Sequence, residues 1–115
     1  MESIQNSNST PVRLSEQQGV DCSGSYGNGG CNGGHMYYYW RFSHYEGSML
    51  SSDYPYTARD ESCKQTSSST IAARANINTV FGLGDQAPVA SIYAALASGP
   101  LNIAVNASGS LWQNY

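Results

Sequence analysis

The chain has 115 residues, a net charge of −3 and only 11% charged side chains, which is about one domain of sequence. It lacks a basic field for nucleic acid or an anionic membrane surface, and no run approaches the roughly 18 apolar residues of a membrane span, so neither nucleic acid nor membrane is expected as a partner. Leu, Ile, Val and Phe are scarce beside nine tyrosines, which implies a folded chain with a thin core that gains from a covalent staple or from further protein packed against it.

The opening stretch "MESIQNSNSTP" is polar, without sustained periodicity and without the apolar core of a signal peptide. "LSEQQGVDC" follows, with Ser15 placed to cap a short helix. Gly19 inside that helix costs about 0.5–1 kcal/mol relative to alanine. A glycine-rich loop, Gly24 to Gly34, leads into "HMYYYWRFSHYEG", where Met36, Tyr39, Trp40 and Ser43 share one helical face and Gly47 supplies a stop. Residues 49–70 read as loop, because Tyr54 precedes Pro55 and the Ser/Thr run from Thr66 to Thr70 is suited to solvent. "ARANINTV" is a candidate strand. Pro88 to Ser98 predicts a helix with Val89, Ile92, Tyr93 and Leu96 as its stripe and Gly99-Pro100 as its end. "LNIAVNA" alternates, with Leu101, Ile103 and Val105 on one face and Asn102, Ala104 and Asn106 on the other, the pattern of a half-buried strand.

The glycine loop does not fit a phosphate cradle, since no lysine lies between Gly19 and Tyr45. A dinucleotide fingerprint from Gly27 and Gly29 would need glycine where Asn32 stands. Cys22, Cys31, His35 and His44 are spaced too widely for a structural zinc site, apart from Cys31 and His35. No metal and no cofactor is therefore expected. His35 and His44 read as loop-edge and helix-surface residues, and the aromatic stripe reads as core, because the basic residues of a base-stacking platform are missing. Three cysteines leave open a free thiol, a partner elsewhere, or three ordinary buried thiols.

Taken in series, "LSEQQGVDCSGSYGNGGCNGGHM", "YPYTARDESCK", "ASGPLNIAVNAS" and "LWQNY" resemble the middle of a papain-like (cathepsin-type) cysteine peptidase, over about residues 14–115. Gly19 departs from the pattern, standing where the family usually has a large aliphatic residue. The resemblance implies an α+β, papain-like two-domain fold, of which this chain holds the later part of the helical domain (1–75) and the start of the β-barrel-like domain (76–115). It implies that Gly33 and Gly34 form one wall of the cleft, the latter pairing by main chain with an extended substrate, where a Cβ would hold the peptide off. The plainer alternative for these two glycines is a tight turn before a helix. Met36 and Ala104 fall where the family lines its main specificity pocket, and Ala107 falls near the leaving-group side. The family pairs the position of Cys22 with that of Cys63, and the position of Cys31 with a cysteine just before the nucleophile, so Cys31 is expected to be an unpaired thiol here.

The resemblance puts no catalytic residue in this chain. The family's Cys lies in a C-G-[SA]-C-[WY] motif, with His and Asn roughly 130–150 residues downstream. By alignment the nucleophile falls about ten residues before Glu2, and the His and Asn fall after Tyr115. The expectation is a fragment of a cysteine endopeptidase that carries cleft residues but is inactive alone, with the remainder of the peptidase missing. The parent would act on peptides or proteins and reside in the lysosome or vacuole, or be secreted. The alternatives are an inactive relative acting as a binding or decoy module, and an unrelated disulfide-stapled binding domain. Asn8-Ser9-Thr10 and Asn106-Ala107-Ser108 match the glycosylation sequon; Pro11 follows the first, and the second falls in the expected cleft strand.

Overall fold

The computed structural model describes residues 2–3, 12–76, 82–84, 86–99, 101–104 and 107–114. Both sequons' asparagines, Asn8 and Asn106, lie outside the described residues. The chain forms two compact units, Met1–Val80 and Phe81–Tyr115, and among the described residues its regular structure is mostly helix with little strand.

In the first unit, β1 (Glu2–Ser3) pairs antiparallel with β2 (Val12–Arg13), Glu2 opposite Arg13. The chain then enters α1 (Glu16–Cys22) through Ser15, whose hydroxyl oxygen accepts the Gln18 N–H at 3.0 Å and donates to the Tyr54 carbonyl at 2.7 Å. One hydroxyl thus caps the helix and pins a loop 39 residues away. Two single 3₁₀ turns, Gly24–Tyr26 and Gly30–Asn32, lead to α2 (Met36–Tyr45), and Gly47 with φ of 82° follows it. Beyond α2, isolated bridges between Leu14 and Leu50 and between Ser48 and Ala73 hold the loop. The strand expected over 73–80 reduces to that one bridge at Ala73; residues 77–80 lie outside the described residues.

The buried face of α2 is centred differently from the expected stripe. Phe42, at 1% exposure, is its most buried residue, with Ser43 beside it, while Met36 is 38% exposed. Phe42 meets the Tyr26 ring edge-on at 5.8 Å and the Tyr39 ring at 6.0 Å, so the turn at Tyr26 sets which face of the helix is covered. Leu14, Met49 and Tyr54 complete the apolar core.

Most of the remaining interior is polar. Gln17 and Gln18 are fully buried, and each binds the loops around α1. The Gln17 amide donates to Asp21 Oδ1 at 2.9 Å and to the Arg59 carbonyl at 2.7 Å, and its oxygen accepts from Thr57 N–H at 2.9 Å. Gln18 donates to the Gly47 carbonyl at 3.1 Å and to Gln65 at 2.7 Å, and accepts from Met49 N–H at 2.8 Å. A buried amide is stable only when so satisfied, and among the described residues no buried side-chain nitrogen or oxygen lacks a partner. A disulfide between Cys22 and Cys63, 41 residues apart, ties the end of α1 to the same loop.

In the second unit, α3 (Val89–Leu96) starts after Pro88, and α4 (Ser110–Gln113) closes the described chain. The α3 stripe is present in sequence but not covered: Val89, Tyr93 and Leu96 are exposed, and the buried residue is Ala95. Leu101–Ala104 is irregular instead of the expected strand, and Ile103 is 73% exposed. A strand exists only against a neighbour that takes its hydrogen bonds, and no such partner is present among the described residues. Val105 and Asn106 lie outside them.

Candidate functional site

The glycine loop folds around its own side chains. Asn28 is its centre: the amide Nδ2 donates to Ser23 Oγ at 2.8 Å, and Ser23, which follows α1, donates back to the Gly19 carbonyl inside that helix at 2.5 Å. On its other side Asn28 Oδ1 accepts the His35 N–H at 2.9 Å. Across the loop the Gly29 N–H donates to the Gly33 carbonyl at 2.8 Å, and the Gly33 N–H donates to the Gly30 carbonyl at 3.2 Å. Both main-chain groups of Gly33 are thus used inside the loop. Those of Gly34 are not: among the described residues neither its N–H nor its C=O has a hydrogen-bond partner in the chain, and the residue is exposed.

The two glycines are needed for different reasons. Gly33 has φ of 103°, a region that side chains rarely tolerate, and open space where a Cβ would stand. A Cβ on Gly34 would overlap the Asn28 amide. The expected reason for Gly34, keeping a Cβ out of an incoming peptide's way, is therefore preceded by an internal one. The absence of a side chain lets Asn28 reach under the main chain.

Gly33, Gly34 and Met36 come together on the rim of one hollow of about 380 Å³, whose other walls include Gly19, Val20 and Tyr39. Gly19, the residue that looked costly inside α1, has its place filled from α2. A Cβ there would lie 2.7 Å from the Tyr39 ring. Ala104 and Ala107 belong to the second unit, Ala104 exposed in the irregular segment and Ala107 at the turn before α4, where its carbonyl accepts from Gln113.

Cys31 is unbonded and exposed. Its N–H donates to the Asp60 carboxylate at 2.6 Å. Partial desolvation, then the neighbouring Asp60, push its thiol above the ordinary value. That is the reverse of what an activated nucleophile requires. The histidines are occupied structurally. His35 Nδ1 accepts the Tyr37 N–H at 3.1 Å and so caps α2, and His44 Nδ1 lies 2.8 Å from the Ala75 carbonyl. Among the described residues no group of three or more His, Cys, Asp or Glu is placed to hold a metal ion, and no helix is long and apolar enough to cross a membrane.

A second groove, of about 450 Å³, lies beside the disulfide, with Tyr26, Tyr45, Glu46 and Arg74 among its walls. Its charged groups are committed within the fold. Arg74 donates to the carbonyls of His44 and Tyr45, and Glu46 accepts from the Tyr26 hydroxyl at 2.8 Å.

Sequence reasoning missed Asn28, which reads as one more turn residue in a loop of small polar residues. The available signal was its position, six residues before Gly34, in a loop whose glycines leave room for a side chain to fold inward.

A family model described as papain family cysteine protease matches residues 1–115. Cysteine proteinase 6 of Dictyostelium discoideum is 37% identical over 113 residues, covering 97% of this chain and 25% of that protein. Cathepsin L1 of Drosophila melanogaster is 39% identical over 105 residues, covering 90% of this chain and 28% of that one. The crystal structure of the proform of the Amb a 11 cysteine protease, a major ragweed pollen allergen, matches with a TM-score of 0.45 and 32% identity, over 52% of this chain and 19% of that one. The chain thus spans about a quarter of the length of the curated relatives it matches.

Proposed function

This chain belongs to the papain family of cysteine proteases, and from that premise we propose that its glycine loop is one wall of the peptide-binding cleft of a longer cysteine endopeptidase. The observation that carries the reading is Gly34. An exposed glycine with both main-chain groups unpaired is what an extended peptide needs to add itself as a strand. Met36 sits beside it on the hollow and is assigned, with Ala104, to the pocket for the substrate side chain two residues before the cut bond. Ala107 is assigned to the leaving-group side. Two apolar residues, one of them small, suit a Leu- or Phe-sized side chain, with graded preference because one methylene is worth only about 1–3 kcal/mol.

The nucleophile, its base and its orienting group are assigned to sequence outside these 115 residues. Cys22 and Cys63 are consumed in a disulfide, and Cys31 is held as a thiol beside Asp60. Peptides or proteins are the substrates of the longer enzyme, and its compartment is lysosomal, vacuolar or extracellular, in keeping with a disulfide.

The test compares the longer protein with the 115-residue chain on a fluorogenic dipeptide substrate and an epoxide inhibitor of the family. The longer protein should turn over substrate and be labelled once; the isolated chain should do neither. Turnover by the isolated chain that persists through stringent purification overturns the assignment. In the longer protein, Ala104→Glu should move side-chain preference toward basic residues, and an unchanged profile removes Ala104 from the pocket.

A further inference from the structure

We propose that Asn28 is a positioning residue that aims the Gly34 carbonyl at the substrate; the inference rests on the reading of Gly34 as a cleft wall. Gly34 lies between two peptide planes, and each is held at its inner end. In the first plane the Gly33 carbonyl accepts from Gly29 N–H at 2.8 Å. In a trans peptide C=O and N–H point in opposite directions, so this bond turns the Gly34 N–H outward. In the second plane the His35 N–H donates to Asn28 Oδ1 at 2.9 Å, and by the same geometry the Gly34 carbonyl faces the other way. The outward donor is therefore set by main chain and the outward acceptor by one side chain.

That side chain is itself fixed. Its Nδ2 donates to Ser23 Oγ, the Ser23 hydroxyl is spent on the Gly19 carbonyl, and Ser23 is fully buried. The amide therefore has one orientation, with Oδ1 toward His35. The relay runs from the C-terminal end of α1 to the wall without passing through the disulfide. Gly34 is part of the device, because a Cβ there would displace the amide.

The consequence is a carbonyl held ready to accept one N–H of an extended substrate. The experiment uses the full-length enzyme and two matched substrates, one with the N–H that would face the Gly34 carbonyl and one with an ester oxygen in its place. Wild type should favour the N–H substrate in kcat/KM by about three- to tenfold, the worth of one hydrogen bond. Asn28→Ala should lower kcat/KM on the N–H substrate by a similar factor, leave the ester nearly unchanged and bring the ratio close to one. Asn28→Asp keeps the acceptor for His35 N–H and should restore much of the ratio. If Asn28→Ala yields no folded enzyme, Ser23→Ala frees the amide and should lower the ratio partway.

A ratio in the Ala variants equal to wild type overturns the role of Asn28 while leaving the wall intact. A wild type that does not distinguish the two substrates overturns the wall itself, and the role of Asn28 with it.

Discussion

In Met1–Val80 the fully buried side chains include two glutamines and three serines beside Phe42, whereas among the described residues of Phe81–Tyr115 Val89, Tyr93, Leu96, Ile103, Leu111 and Trp112 are exposed and Ala95 is the buried apolar residue. The more polar stretch has the better closed interior. Its cohesion comes from amides and hydroxyls whose partners are far away in sequence, plus one covalent tie, and such groups contribute only when every one is paired. The second unit shows the converse, since apolar periodicity makes a helix but does not cover it.

Removing the covalent tie should have the largest effect on this contrast. A Cys22→Ser, Cys63→Ser protein frees a closure of 41 residues, a loss of about 4 kcal/mol on the chain-entropy model. Urea unfolding followed by amide exchange in α1 and α2 should show it. Protection that survives the double change would mean that the polar network alone holds the unit.

Gln18→Leu comes next. It keeps volume but strips partners from the Met49 N–H, the Gly47 carbonyl and Gln65. The expected cost is about 2–3 kcal/mol, read from the shift in urea midpoint. A neutral result would make the interior an ordinary packed core in which the amide is incidental.

A smaller effect belongs to acid. Lys64 at 2.6 Å, then Arg59, hold the Glu61 carboxyl down to about 2 from 4.5. A depressed carboxylate stabilises the fold above its unfolded value, and that contribution is lost as pH falls from about 4.5 to about 2. The loss should shrink in high salt, because the basic partners are exposed. Stability of a Glu61→Gln protein should be flatter across that window than wild type, and parallel curves would remove Glu61 from the account.

The least effect is expected in the second unit. Leu96→Lys in the 115-residue chain should change α3 protection by no more than about 0.5 kcal/mol, as for other exposed positions. A larger loss would show that the stripe is covered and would break the comparison.

Local signals were legible in the sequence. Ser15 marks the start of α1, and Pro88 and the loop before Met36 mark the next two helices, because caps and turn residues act over a few positions. The family was legible from motifs in series. The burial of Gln17 and Gln18 was not, since glutamine ordinarily reads as surface and, Asp21 aside, their partners lie 29 to 47 residues on. Tyr54 reads as loop because Pro55 follows it, yet its hydroxyl donates to Asp21 at 2.7 Å, and burial first, then Asp21, push its ionisation up to about 12. Leu101–Ala104 alternates like a strand, but alternation cannot provide a neighbour. The resemblance pointed to Gly33 and Gly34, while Asn28, whose amide holds the His35 N–H beside them, carried no such signal.

The ring of Tyr39 standing where a Cβ on Gly19 would go has a consequence for descent. The large aliphatic residue that the resemblance places here would meet the ring, which would have to move to admit it. Nor can Tyr39 be trimmed alone without leaving a hole beside the glycine. Each position's tolerated residues depend on the other's occupant, so the two form one heritable choice. A lineage could leave or enter this arrangement only through an intermediate that is either overfilled or hollow, and the order of the two steps decides which burden it carries.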